Sequence, residues 1–168
     1  MPGVRGAWSE PTSRLRLRWG SYRGRYLGGM LLIVAGALGL QGSNTWILGL
    51  LLQGTIAHAV GWSIMPARGW RRILAAMLGV TTIWLLLTGP LSVWMLSLPY
   101  IGWMLVRHRP LRSYLTVLFP IANGMLLPQF YREYPDMLPA LSISMAVFVA
   151  SAWLARVLAA TTKPTNSQ

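Results

Sequence analysis

The sequence predicts an all-α membrane protein: six transmembrane helices in one bundle, with the N-terminus and the C-terminus both cytoplasmic. Three observations carry that reading. Long uncharged apolar stretches approach bilayer length, basic residues crowd into alternate connections, and each break between stretches holds turn-forming residues. Hydrophobic residues make up 54% of the chain and charged ones 11%, where about a quarter charged is usual for a soluble domain. Disorder is excluded, because it requires low hydrophobicity. The absence of cysteine excludes a disulfide scaffold, a Cys-ligated zinc site and an iron–sulfur cluster.

The apolar segments justify themselves in order. Residues 22–40 end at Gln41-Gly42-Ser43-Asn44, a turn that also caps the second segment, 45–65. Pro66 and Gly69 bracket the next break, before 70–88. Gly89-Pro90 precedes 91–106, Pro110 precedes 112–128, and residues 131–135 lie in the longest connection, before 138–159. Each segment has roughly 16–22 residues, against the ~20 that cross a ~30 Å hydrocarbon core at 1.5 Å per residue. The fourth is the shortest and calls for local bilayer thinning or help from its flanks. A closed barrel would need shorter segments alternating apolar and polar residues, and that pattern is missing. The chain thus divides into a basic leader (1–21), a six-helix domain (22–159) and a short polar tail (160–168).

Orientation follows from the charges. A net charge of +12 first points to nucleic acid, but such binders gather Arg and Lys on one face of a soluble fold. Here the leader and first span edge hold Arg5, Arg14, Arg16, Arg18, Arg23 and Arg25. Arg68, Arg71 and Arg72 follow span two, Arg107, Arg109 and Arg112 follow span four, and Arg156 and Lys163 close the chain. The three other connections hold only Arg132. By the positive-inside rule the basic side is cytoplasmic, so the expected location is a bacterial-type cytoplasmic membrane and nucleic acid is no partner. Tryptophans and tyrosines near the span ends read as interfacial belts.

Leu15, Trp19, Tyr22 and Tyr26 share one helical stripe, flanked by arginines. The expected form is an interfacial helix running into span one, with Arg14, Arg16, Arg18, Arg23 and Arg25 reaching anionic headgroups. The plainer account of these arginines is a charge that orients insertion. A cleaved signal peptide with a site at Ala35-Gly36-Ala37 is the other reading of span one, disfavoured by its long leader and Gly-rich continuation.

Inside the spans the polar residues are few. On a helical wheel Gly49, Gln53, Gly54, Ala57, His58 and Gly61 share the half of span two expected to face protein, leaving Leu52 and Trp62 for lipid. Span five offers Ser113, Thr116, Pro120, Asn123 and Gly124 on one face, span three Ala75, Gly79 and Thr82, and span six Ala140, Ser144, Ser151 and Ala155. Pro120 is expected to bend span five and Pro99 interrupts span four. Gln53, His58, Tyr100 and Asn123 fall near the midplane, so they form a candidate solute site or, alternatively, glue between helices. His58 is the only ionisable side chain of its kind deep in a span, and a neutral imidazole bonded to Tyr100 or to a backbone carbonyl is its bland reading.

Enzyme readings fare worse. Glu10, Glu133 and Asp136 all lie outside the spans, Ser63 is five residues from His58 and so on another face, and His108 sits in a connection too far for a bis-His haem. No cofactor or metal is implied. Gly61-Trp62, Arg68, Arg71 and Leu74 recur 41 residues later as Gly102-Trp103, Arg109, Arg112 and Leu115, which fits a parallel repeat or simply the shared needs of two cytoplasmic turns. In size and topology alone the chain resembles the six-helix substrate-binding subunits of energy-coupling-factor vitamin transporters. That resemblance implies docking to a membrane partner through small residues of the first helix, here Gly28, Gly29, Ala35 and Gly39.

Three functions remain in view: a non-enzymatic accessory or scaffold subunit of a membrane complex, a small-solute transport or binding component, and, disfavoured, a membrane enzyme. The partners expected are the bilayer, anionic lipid headgroups at the cytoplasmic face, and a membrane protein or a second copy. A reporter fused after Lys163 is expected to report a cytoplasmic location. An outside location would sink the six-span reading.

Overall fold

The computed structural model describes Thr12 and residues 19–161, and no strand occurs among them. Six α-helices coincide with the six apolar segments: α1 (Tyr22–Gln41), α2 (Gly49–Ile64), α3 (Gly69–Leu85), α4 (Ser97–Val106), α5 (Leu118–Phe130) and α6 (Met137–Thr161). Three helical stretches, Tyr22–Gln41, Gly69–Thr88 and Met137–Thr161, are long and apolar enough to cross a membrane.

Successive helices run antiparallel, as side chains at their ends show. Arg25 Nε at the start of α1 donates to the Ile64 carbonyl at the end of α2, 2.8 Å away. Arg71 NH1 at the start of α3 donates to the Leu105 carbonyl near the end of α4, at 2.9 Å. Ser113 Oγ, ahead of α5, donates to the Ala155 carbonyl near the end of α6, at 2.9 Å. The described basic residues other than Arg132 therefore share one end of the bundle.

Helices α4 and α5 are each preceded by a seven-residue 3-10 stretch, Pro90–Leu96 and Leu111–Val117. Each then carries proline as its third residue, Pro99 and Pro120. Proline has no N–H and its ring clashes with the carbonyl four residues back, so the tighter winding ends where the α-helix must begin. The Met95 carbonyl, deprived of Pro99 as a donor, lies 3.2 Å from the Thr82 hydroxyl, which is nearer to the Leu78 carbonyl at 2.8 Å. Because a 3-10 turn rises ~2.0 Å per residue, the fourth segment reaches ~29 Å over residues 90–106, close to a ~30 Å core without thinning. Pro120 thus sits at a handover of helix type instead of bending a continuous α-helix.

Helix α2 starts at Gly49 because Asn44 Oδ1 accepts from the Trp46 and Ile47 N–H groups at 2.9 and 3.0 Å, forming a local turn that competes with helix. Helix α1 starts at Tyr22, where Gly20 adopts φ +65° and Ser21 Oγ caps the helix by accepting from the Gly24 N–H at 3.0 Å; the leader part of the expected interfacial helix lies outside the described residues.

The α1–α2 seam is the tightest contact. A Cβ on Gly36 would lie 2.5 Å from the Gly54 carbonyl oxygen and from the His58 nitrogen. One on Gly54 would lie 2.7 Å from the Gly36 oxygen, and one on Gly61 2.7 Å from the Gly29 oxygen. Backbone touches backbone at both levels, which only glycine permits. This seam uses Gly29 internally, so the partner face expected on α1 shrinks to exposed Ala35 and half-buried Gly28 and Gly39. On α3, α5 and α6 the faces read from sequence are the buried ones, among them Gly79, Thr82, Ser113, Thr116, Gly124, Ser144 and Ser151.

Gly36→Ala and Gly54→Ala are each expected to cost about 1–3 kcal/mol, since the obstructing atoms are backbone and cannot step aside. Gly49→Ala, where a Cβ meets nothing within 4 Å, is expected to leave thermal stability in detergent unchanged or raise it. Equal behaviour of the three variants would discount the seam.

Candidate functional site

The rotation of α2 set by that seam decides which polar groups point inward. His58 is 3% exposed. Its Nδ1 lies 2.9 Å from the Ile33 carbonyl oxygen, and its Nε2 lies 3.1 Å from the Trp62 indole nitrogen. An indole N–H can only donate, so Nε2 accepts and Nδ1 carries the proton that goes to Ile33. Both ring nitrogens are used in the neutral form, and the backbone carbonyl, not Tyr100, is the partner. Gly79 of α3 makes the space: a Cβ there would lie 2.7 Å from His58 Nε2. Trp62, expected to face lipid, is 2% exposed and belongs to the interior.

The four midplane candidates do not converge. Tyr100 Oη lies 2.8 Å from Thr116 Oγ1, and Asn123 Nδ2 donates to Ser144 Oγ at 2.9 Å. Gln53 lies on the outward face of α2, exposed, beside Leu52 and Ile56. The four-residue spacing Gly49–Gln53–Ala57–Gly61 misled the wheel reading: an α-helix drifts by ~40° over each such step at 3.6 residues per turn, so Gly61 enters the seam while Gly49 and Gln53 turn outward. A polar solute site built from these four side chains is therefore not assembled.

An apolar cleft takes its place. It has a volume of about 370 Å³ and runs between α1 and α6, floored by residues of α2 and α4 that include His58 and Tyr100. Tyr26 and Trp103 line its basic end. There Tyr26 Oη accepts from Trp103 Nε1 at 3.1 Å and from Arg107 NH1 at 2.8 Å. The Arg107 guanidinium lies 4.7 Å from the Tyr26 ring centre and 5.2 Å from that of Trp103. Burial pushes Arg107 down to about 10, with the positive charges of Arg109 and Arg156 adding to the shift, so it remains charged at neutral pH. Sequence reasoning missed this cluster, because it counted Arg107 and Arg109 for topology only. The signal present was the Tyr26–Trp103–Arg107 set of residue types, which are separated by about eighty positions.

Backbone geometry fixes the cluster. His108 has φ 54°, the Arg109 N–H donates to the Met104 carbonyl at 3.1 Å and the His108 N–H to that of Leu105 at 3.3 Å. That is a Schellman closure with histidine where glycine is usual, and it folds Arg109 back under Trp103, whose ring centre is 5.5 Å from the guanidinium. Of the proposed headgroup arginines, Arg14, Arg16 and Arg18 lie outside the described residues, and Arg23 is exposed. Arg25 is 7% exposed and caps α2, so it is structural instead of lipid-facing.

No protein-family profile, curated protein or solved structure matches the chain.

His58→Leu is expected to cost about 1–3 kcal/mol by stranding the Trp62 N–H. Adding Trp62→Phe is expected to recover part of that loss. A double mutant whose loss equals the sum of the two single losses would show that the bond contributes nothing.

Proposed function

We propose that the six helices cross a bacterial-type cytoplasmic membrane with the basic end and both termini inside, and that the protein is a non-enzymatic accessory or scaffold subunit of a membrane assembly. Three helices have the length and apolarity for this, and the outward faces are apolar, with Leu31, Leu118 and Val149 each more than 60% exposed. The basic end is the cytoplasmic one by the positive-inside rule. Arg23, at the start of α1, stands where each such charge near an anionic leaflet contributes about 1 kcal/mol.

The observation that carries the subunit reading is Gln53. Its amide stands on the outward face of α2 with no hydrogen-bond partner among the described residues, and Gly49 next to it on that face leaves open space. In a bilayer such an amide finds no water, and a polar group on a neighbouring helix is its natural partner. His58, Tyr100 and Asn123, by contrast, have partners within their own bundle, which favours a packing role for them over solute transport. A transmembrane helix offering a polar side chain, from another membrane protein or from a second copy, fits the Gly49–Gln53 strip.

Native mass spectrometry of gently extracted protein tests this. The expected result is a retained protein subunit or second copy. Gln53→Leu is expected to weaken its retention several-fold, matching about 1 kcal/mol for an interhelical polar contact. A bare monomer that inserts correctly, or retention unchanged in Gln53→Leu, would overturn the proposal.

A further inference from the structure

Gln53 leaves the bundle with an amide to satisfy at a depth where a bilayer holds no water. It is the fifth residue of α2 and stands near the middle of the apolar segment 45–65. Its side chain is exposed and has no hydrogen-bond partner among the described residues. Ser63 and Ser142 also face outward, but each donates to the carbonyl four residues back, at 2.8 and 2.9 Å. A hydroxyl is satisfied on its own helix in this way, whereas a glutamine amide carries two donors and an acceptor.

The face around Gln53 is low and uncharged. Gly49 and Val60 lie within ~40° of Gln53 around α2 at 3.6 residues per turn. A Cβ on Gly49 would meet nothing within 4 Å. On α1, Gly28, Ala35 and Gly39 likewise fall within ~40° of one another, on the side opposite Met30 and Ala37, which line the cleft. A Cβ on Gly39 would lie 3.8 Å from the Gly54 Cα, so this edge of α1 runs beside Gln53. The glycine seam therefore has two sides. The cleft with His58 and Trp62 lies on one, and Gln53 with Ala35 and Gly39 on the other.

We propose that the occupant of this second side is another copy of the chain, packed about a twofold axis along the membrane normal, with the two Gln53 amides bonded to each other. Copies inserted by the positive-inside rule share one orientation. A twofold axis relating them then runs along the membrane normal and sets a residue near it against its own counterpart at the same depth. A foreign helix would need a polar group placed at that depth, and a second copy carries one by symmetry. Glutamine is also its own complement, because the N–H of each amide donates to the carbonyl oxygen of the other. No charge stands on the face to repel its like, and Ala35, Gly39 and Gly49 let the two helix pairs approach closely. This rests on the subunit reading above and makes its partner specific.

The chain has no cysteine, so one introduced thiol reports only on its own surroundings. In membranes holding the full chain, Gly49→Cys and Val60→Cys treated with a short bis-maleimide are expected to give a product of twice the chain mass. Leu38→Cys and Met77→Cys, exposed on other faces, are expected to stay monomeric. Adding Gln53→Leu to Gly49→Cys is expected to lower the yield, and in nanodiscs Gln53→Leu is expected to weaken recovery of untagged copies with tagged ones by roughly fivefold or more, since two interhelical contacts are lost. A mixed pair of parent and Gln53→Leu copies is expected to be as weak, because one leucine strands the facing amide. Membrane fractionation and the Lys163 reporter, run on every variant, separate failure to insert from failure to pair. A different protein retained and cross-linked in place of the second copy would overturn the pairing and leave the subunit reading standing. A bare monomer with no product from Gly49→Cys or Val60→Cys would overturn both. Equal yields at all four thiol positions, or a mixed pair as strong as the parent pair, would overturn the pairing.

Discussion

The contact on which the rest of this structure depends is the glycine seam between α1 and α2. Gly36 and Gly54 bring two helix backbones so close that a Cβ on either would overlap a carbonyl oxygen, and Gly29 and Gly61 repeat the arrangement about two turns away. Lipid tails are as apolar as the side chains of the helices, so burial supplies little drive for helices to associate inside a bilayer. Close approach and dispersion contact must supply it instead, and they do so only where side chains are smallest. Once the seam is fixed, the rotation of α2 is fixed with it. His58 and Trp62 then turn inward onto Gly79, and Gln53 turns outward.

The arginines do two jobs with one placement. Helix C-termini present unpaired carbonyls and a negative dipole end, and two of the helices ending at the basic end have these groups met by arginine from a neighbour. Arg25 and Arg72 reach carbonyls at the end of α2, and Arg71 reaches one at the end of α4. The charge pattern that reads as a topology signal therefore also closes helix ends and ties antiparallel neighbours together. Arg107 and Arg109 differ: they lie on the aromatic faces of Tyr26 and Trp103.

Proline and glycine set the remaining geometry. Pro99 and Pro120 enforce a change from 3-10 to α winding, which lengthens the shortest apolar segment to about the depth of a bilayer core. Gly89, with φ +101°, makes the reversal after the third segment in a region closed to most side chains. His108 accepts a similar conformation without being glycine, at the corner that holds Arg107 and Arg109.

The sequence by itself determined the helical class, the positions of the six helices and the end at which the arginines gather, because apolar run length, turn residues and charge are one-dimensional properties. It also determined the buried faces of α3, α5 and α6, where small and polar residues recur at helical spacing. Only the tertiary structure decided the rotation of α2. Its glycines lie on more than one face, and the wheel cannot know which of them another backbone will use. Gln53 and Trp62 accordingly exchanged the places expected of them. Arg25 likewise looked lipid-facing until the end of α2 was seen to lie beside it. The cleft was illegible for the same reason: it is the space left between α1 and α6 after their packing is set, and no single segment encodes a space.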